Sequence, residues 1–194
     1  AVVVDLNLEE PLWLREGLPF QVQYLHPGFL FDRMVHLSAV RDGRAFLIPF
    51  RREYFNYNEH YRTLKPGDIP QTMGFAGLRL MFPLEGRGAG HSEIGSFAGA
   101  SYFRFLSKGA TYGLSARGLA LNTWESEGEE FPTFTEFWLE RPANRALGVN
   151  VYALLESASV TGAYRFTIAP GEATTVEIKT AIYRRANAKE AKVD

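Results

Sequence analysis

The chain has 194 residues, 46% of them hydrophobic and 22% charged, with a formal net charge of -1. That is enough material for a genuine core, and the near-neutral charge removes the electrostatic case for nucleic acid or an anionic membrane surface as partner. The absence of cysteine excludes disulfides, thiolate catalysis and Cys-ligated metal.

Residues Ala1 to Asp5 do not read as a signal peptide, so the chain is expected to be either cytosolic or a mature or excised piece of an exported protein. No run approaches the roughly 18 apolar residues of a membrane span. "PFQVQYL" (Pro19 to Leu25) alternates, with Phe20, Val22 and Tyr24 on one face and Gln21 and Gln23 on the other. In "HLSAVRDGRAFLIPF", Asp42-Gly43 between two apolar runs predicts a two-residue hairpin. "RREYFNYNEHYR" (Arg51 to Arg62) mixes bases with aromatics and admits a minor single-strand-binding reading, which the net charge does not support. Pro66-Gly67 and "EGRGAGH" (Glu85 to His91) read as turns, the latter lacking the last glycine of a dinucleotide fingerprint.

"SEIGSFAGAS" (Ser92 to Ser101) is expected to make a turn or two of helix, against its two glycines. Strands are predicted at Phe75–Leu84, Tyr102–Leu106, Tyr112–Leu121, Phe134–Leu139, Val149–Glu156, Tyr164–Ile168 and Thr175–Tyr183, with a turn at Pro170-Gly171. "GLSARG" (Gly113 to Gly118) is not a nucleophile elbow, because Arg117 stands where its second glycine belongs. The tail "ANAKEAKVD" (Ala186 to Asp194) is small and charged and reads as a linker. Repeated short strands, many turns and 15 Phe, 9 Tyr and 3 Trp argue for a mainly β chain built as a β-sandwich. The four histidines, His26, His36, His60 and His91, form no ligand pair, so no metal or other cofactor is predicted.

The stretch from Gly99 to Pro142 concentrates charge among aromatics. In "EEFPTFTEFWLER", strict alternation puts Phe134, Glu136, Trp138 and Glu140 on one face, and Thr133, Thr135, Phe137, Leu139 and Arg141 on the other. A Trp with carboxylates two residues either side suits carbohydrate: the ring takes the apolar face of a sugar and the acids accept from its hydroxyls. The competing reading is a surface strand whose acids pair with Arg104, Arg117 or Arg141. As an acid/base pair the two glutamates fit poorly. Four residues apart on a strand, their Cα atoms lie about 13 Å apart, whereas glycosidase carboxyl groups sit roughly 5 to 9.5 Å apart.

Five blocks occur in order: "GFAGLRLMFPL" from Gly74, "GASYFR" from Gly99, "YGLSARGLAL" from Tyr112, "GEEFPTFTEFWLERP" from Gly128 and "YALLESASVTGAYRF" from Tyr152. Together they closely resemble the periplasmic glucan biosynthesis family, of which OpgG (MdoG) and OpgD are members. "GLPFQVQYLHPGFLFD" from Gly17 fits the family's early strands, and the resemblance covers about Gly17 to Arg185.

The resemblance implies a large β-sandwich similar to galactose mutarotase (the supersandwich fold), of which residues 1–185 form a part and 186–194 a tail. It also implies a periplasmic protein of osmoregulated periplasmic glucan synthesis or processing, acting on a β-1,2-linked glucose backbone. Some family members are glycoside hydrolases, but the acids implicated lie beyond the matching region, so no catalytic residue is assigned and this chain is expected to be inactive. Composition and alternation assign Tyr102, Arg104, Arg117, Glu136, Trp138 and Glu140 to a glucan groove. The alternatives are a non-catalytic carbohydrate-binding or scaffolding module, and a structural β-module that binds protein. β-Glucan is the expected partner; nucleic acid and membrane insertion are not expected, and exposed strands make self-association a further expectation.

Overall fold

A computed structural model describes residues 4–6, 12–13, 16–28, 33–57, 70, 73–86, 90–111, 115–186, 188 and 191–193. Its strands are β1 (Val4–Leu6), β2 (Gln21–Leu25), β3 (His36–Arg41), β4 (Arg44–Leu47), β5 (Phe55–Tyr57), β6 (Gly77–Phe82) and β7 (Ser92–Ala98). They continue with β8 (Tyr102–Phe105), β9 (Ala116–Arg117), β10 (Thr133–Glu140), β11 (Val149–Glu156), β12 (Val160–Ala169) and β13 (Thr175–Arg184). One 3-10 turn, Arg52–Tyr54, precedes β5. The chain is mainly β, as the strand and turn pattern predicts.

The strands form a six-stranded sheet in the order β13-β12-β11-β10-β3-β4, a five-stranded sheet in the order β2-β6-β7-β8-β9, and a β1-β5 pair. Neighbours are antiparallel except β10 and β3, which run parallel. The two larger sheets pack face to face. Phe97 of β7 lies 5.5 Å from Phe137 of β10 and 5.0 Å from Phe166 of β12, ring centre to ring centre, and Phe103 of β8 lies 5.1 Å from Phe166. Edge-to-face aromatic pairs of this kind add to the burial of the rings themselves. Hydrogen bonds also cross between the layers: the Phe134 amide donates to the Gly99 carbonyl (2.9 Å) and the Tyr164 hydroxyl to the Gly118 carbonyl (2.8 Å). Gly118 must be glycine there, since a Cβ would stand 2.9 Å from Cζ of Phe134.

The Asp42-Gly43 hairpin joins β3 to β4, with φ of 51° and 72° at its two central residues. Two left-handed residues are what a twist-matched two-residue hairpin needs. Phe20, Val22 and Tyr24 are all buried, as the alternation of "PFQVQYL" requires. The strands at Val149–Glu156 and Thr175–Tyr183 are found as read, the latter one residue longer. Pro170-Gly171 lies in the β12–β13 connection.

Three readings need correction. "SEIGSFA" is strand β7, not helix, because β6 and β8 pair with it on both sides. Of the strand expected at Tyr112–Leu121, residues 115–121 contribute only the short β9, while 112–114 lie outside the described residues. The strict alternation of β10 fails at a bulge between Phe134 and Glu136. The extra residue turns Phe134 inward beside Phe137 and Leu139, all fully buried, and leaves Glu136, Trp138 and Glu140 facing out. The Pro66-Gly67 turn and His60 lie outside the described residues.

Candidate functional site

Glu136, Trp138 and Glu140 lie on the outer face of the six-stranded sheet, each half-buried. The register extends this face across the neighbouring strands. Trp138 is paired with Ser38 on β3 and Tyr152 on β11, Tyr152 in turn with Arg165 on β12, and Arg165 with Lys179 on β13. One strand spacing, about 4.8 Å, therefore separates the backbone of the indole from that of the phenol. A second row holds Val40, Glu140, Asn150, Thr167 and Glu177. Oε2 of Glu140 accepts from Asn150 Nδ2 (2.9 Å) and from the Tyr152 hydroxyl (3.1 Å). Burial, and then the carboxylate it donates to, push the Tyr152 phenol above its ordinary range, against an opposing pull from Arg165. Tyr152 is thus a neutral donor at physiological pH, and it holds Glu140 in place.

Tyr102, Arg104 and Arg117 face the other way. Their neighbours Phe103 and Phe105 point into the core against Phe97, which sends Tyr102 and Arg104 to the outer face of the five-stranded sheet. Arg117 is paired with Tyr102 and lies over its ring (5.8 Å) and that of Phe131 (5.2 Å), while Nη1 donates to Glu129. Arg104 and Arg79 share the carboxylate of Glu93, at 3.4 and 3.3 Å, and that side chain is only 9% exposed. Tyr102, Arg104, Arg79 and Ser96 line a cleft of about 380 Å³ on this face. The six residues expected in one groove therefore divide between opposite surfaces of the sandwich, three on each.

The charge pairing separates the two readings of β10. Arg104 goes to Glu93, Arg117 to Glu129, and Arg141 to Glu16, which also takes Arg41. Among the described residues neither Glu136 nor Glu140 meets a cation, and the indole N–H of Trp138 has no acceptor. Among the described residues the sheet does not build a salt-bridged surface strand at Glu136 and Glu140. β10 presents an indole and two carboxylates whose only protein partners, among the described residues, are the neutral donors on Glu140.

Sequence reasoning missed Tyr152 and Asn150. Alternation in "VNVYALLE" places both on one face, but only the β10–β11 register shows that this face is Glu140's.

A family model described as "Periplasmic glucan biosynthesis protein, MdoG" matches residues 3–193. The chain belongs to the periplasmic glucan biosynthesis protein family. It is 47% identical over 183 residues to glucans biosynthesis protein G of Rhodopseudomonas palustris, covering 94% of this chain and 35% of that protein. With the protein of the same name from Bradyrhizobium diazoefficiens the identity is 44%, covering 94% and 35% of the two chains. With that of Shewanella frigidimarina it is 44%, covering 91% and 31%. The chain thus spans about a third of the length of the curated relatives it matches.

Other polar clusters have structural explanations. His26 is half-buried against Phe50, Phe55 and Tyr57, with Nε2 2.8 Å from the Tyr57 hydroxyl and Nδ1 against the Pro27 carbonyl; burial holds its pKa down. The Glu130 carboxylate receives the Ser159 amide (2.8 Å) and hydroxyl (2.6 Å) and ties β12 to the segment before β10. Among the described residues no three His, Cys, Asp or Glu side chains converge on a metal-sized space, and no helix is long and apolar enough to cross a membrane.

Proposed function

We propose that this chain serves periplasmic glucan biosynthesis by binding glucan on the outer face of its six-stranded sheet. Trp138 is the stacking platform, and Glu136 and Glu140 are the acceptors for sugar hydroxyls. The observation that carries the reading is the state of β10: an indole flanked by two acids, none neutralised by a neighbouring guanidinium among the described residues. An ionised carboxylate with a free oxygen accepts strongly from neutral hydroxyls, and a half-buried indole offers an apolar plane to a pyranose. Family membership supports the substrate class, a β-linked glucan, and a periplasmic location. Tyr102 and Arg104 line a separate cleft on the opposite surface, where Arg117 also lies, and a sugar chain on β10 does not reach that surface.

The role proposed is binding rather than cleavage. Glu136 and Glu140 sit four residues apart on one strand with Trp138 between them, about 13 Å between Cα atoms, a poor match to the roughly 5 to 9.5 Å carboxyl spacing of glycosidases.

The test is a titration of intrinsic fluorescence with linear β-1,2-glucan, with a β-1,4-glucan as control and reducing ends assayed in parallel. A saturable change specific to the β-1,2 polymer, lost in Trp138→Ala while the circular dichroism is unchanged, is the expected result. No response from the folded protein, or an undiminished response in Trp138→Ala, refutes the site. New reducing ends would return Glu136 and Glu140 to a catalytic role.

A further inference from the structure

The connections at one end of the sandwich enclose a cleft of about 670 Å³ that glucan on β10 does not use. It is lined by Gly17 to Pro19 ahead of β2, Phe82 to Leu84 at the end of β6, His91 just before β7, and Asn144 to Leu147 between β10 and β11. Both sheets therefore contribute to its walls, and its size suits a small-molecule site.

Its floor is apolar and fixed. Leu18 is only 3% exposed, and the Phe82 ring packs on the buried Phe20 with centres 4.8 Å apart. Pro83 and Leu84 are held in a tight turn that the Gly86 amide closes on the Pro83 carbonyl (3.0 Å). A second turn, closed by the Ala146 amide on the Ala143 carbonyl (3.0 Å), presents Asn144 and Arg145. Leu147 follows it and lines the cleft while remaining 78% exposed.

The charge of the cleft has one sign. Among the described residues no acid lines it. The two acids that adjoin its lining in sequence are engaged elsewhere: Glu16 with Arg41 and Arg141, at 2.9 and 2.6 Å, and Glu85 with Lys108 at 3.3 Å. Arg145 is exposed and meets no carboxylate among the described residues. His91 adds a half-buried imidazole whose Nε2 is covered and has no hydrogen-bond partner among the described residues. A covered polar nitrogen left unpaired is uncommon in a native protein, and a ligand's acceptor is one way to complete it.

We propose that this cleft is a second binding site, for a small amphiphilic carboxylate. Arg145 and the His91 imidazole meet the carboxylate, and the apolar body lies on Leu18, Phe82 and Leu84 beside Leu147. One guanidinium matches the two oxygens of a carboxylate in bidentate fashion. A neutral ligand leaves that guanidinium unused, and a cation is repelled by it. None of these residues belongs to the β10 face, so the inference is independent of where glucan binds.

The test is calorimetric titration of the protein with octanoate. Octanol and octylammonium serve as neutral and cationic probes with the same body, and acetate as the headgroup alone. Octanoate is expected to saturate one site, about tenfold or more tighter than octanol or acetate, with no saturable binding of octylammonium. Arg145→Ala and Leu147→Ser, both at exposed positions that folding tolerates, each weaken it by about five- to tenfold. Trp138→Ala leaves it unchanged, which separates failure of this site from failure of the glucan site. The His91 ring resonances, identified by their loss in His91→Gln, move along the same titration. Absence of saturation, equal binding of octanol, an affinity insensitive to both Arg145→Ala and Leu147→Ser, or an unmoved His91 signal overturns the proposal.

Discussion

Tyr152→Phe is the most informative single change on the β10 face. It deletes one oxygen and leaves the ring, and with that oxygen goes the 3.1 Å hydrogen bond to Oε2 of Glu140. A hydrogen bond to a charged acceptor contributes about 1.5–3 kcal/mol when shielded. Here both residues are half-exposed, water can replace the hydroxyl, and the cost to stability is about 0.5–1 kcal/mol. The cost to binding exceeds what the distance to the ligand would suggest. Oε2 retains only Asn150, the carboxylate regains rotational freedom, and ordering it again on each encounter weakens glucan affinity by about three- to tenfold, at 1.4 kcal/mol per decade.

Asn150→Ala acts on the same oxygen. The two effects should therefore be non-additive by about 0.5 kcal/mol or more in a double-mutant cycle run by isothermal titration calorimetry. An alkaline titration supplies an independent readout. The folded-state pKa of Tyr152 is raised above its ordinary value of 10.0, so the folded protein holds this proton more tightly than the unfolded chain. That contribution to stability is complete below pH 10 and is lost as pH rises through the folded value. Tyr152→Phe should flatten the decline in stability above pH 10. Unchanged affinity combined with an unchanged alkaline limb would refute the claim that Tyr152 positions Glu140.

Gly118→Ala should destabilise the protein by about 1–3 kcal/mol in urea denaturation, because the new methyl meets the fully buried Phe134 at 2.9 Å and cannot be accommodated without shifting the core; a neutral result would mean the layers give way more easily than their packing implies. Glu130 is held below its ordinary pKa: burial alone would raise it, but bonds from the Ser157 and Ser159 hydroxyls and the Ser159 and Ala158 amides outweigh that. Its contribution is therefore present above pH 4.5 and lost as pH falls through the lower folded value, and Ser159→Ala should cost about 1 kcal/mol at pH 7 and less at pH 3. Equal losses at both pH values would show that Ser159 acts through packing alone.

Much of the fold can be read locally. Asp42-Gly43 specifies a hairpin because its two positions need left-handed backbone, and Phe20, Val22 and Tyr24 specify a buried face because period two has no other use for them. What resisted reading was decided by neighbours distant in sequence. Ser92 to Ala98 carries glycine where a helix could still form, but Gly95 lies under the ring of Phe105, where a Cβ would come within 2.6 Å of Cδ1. That glycine marks the close approach of β8, which no local window contains. Likewise nothing near Arg104 in sequence selects Glu93, eleven residues earlier, over Glu136 or Glu140 as its acceptor.

The candidate site depends on the same kind of decision, made at the bulge in β10. Without it, one face of the strand would have to carry Phe134 together with Glu136, Trp138 and Glu140, and the sheet could bury the phenylalanine only by burying two carboxylates. The extra residue at Thr135 breaks that phase once. Phe134 joins Phe137 and Leu139 in the core, and Trp138 keeps its acids outside. Of the cations nearest those acids, Arg165 and Lys179 on the same face pair with Glu177, at 3.8 and 3.2 Å, and Arg141 with Glu16 at 2.6 Å, while Arg104 and Arg117 are held on the opposite surface by Glu93 and Glu129. Carboxylates so placed, Glu140 steadied by an amide and a phenol rather than by a guanidinium, retain acceptor capacity for an uncharged ligand rich in hydroxyls. Oxygens already saturated by arginine would not. The physical case for a sugar on β10 therefore rests as much on where the arginines are held as on the tryptophan.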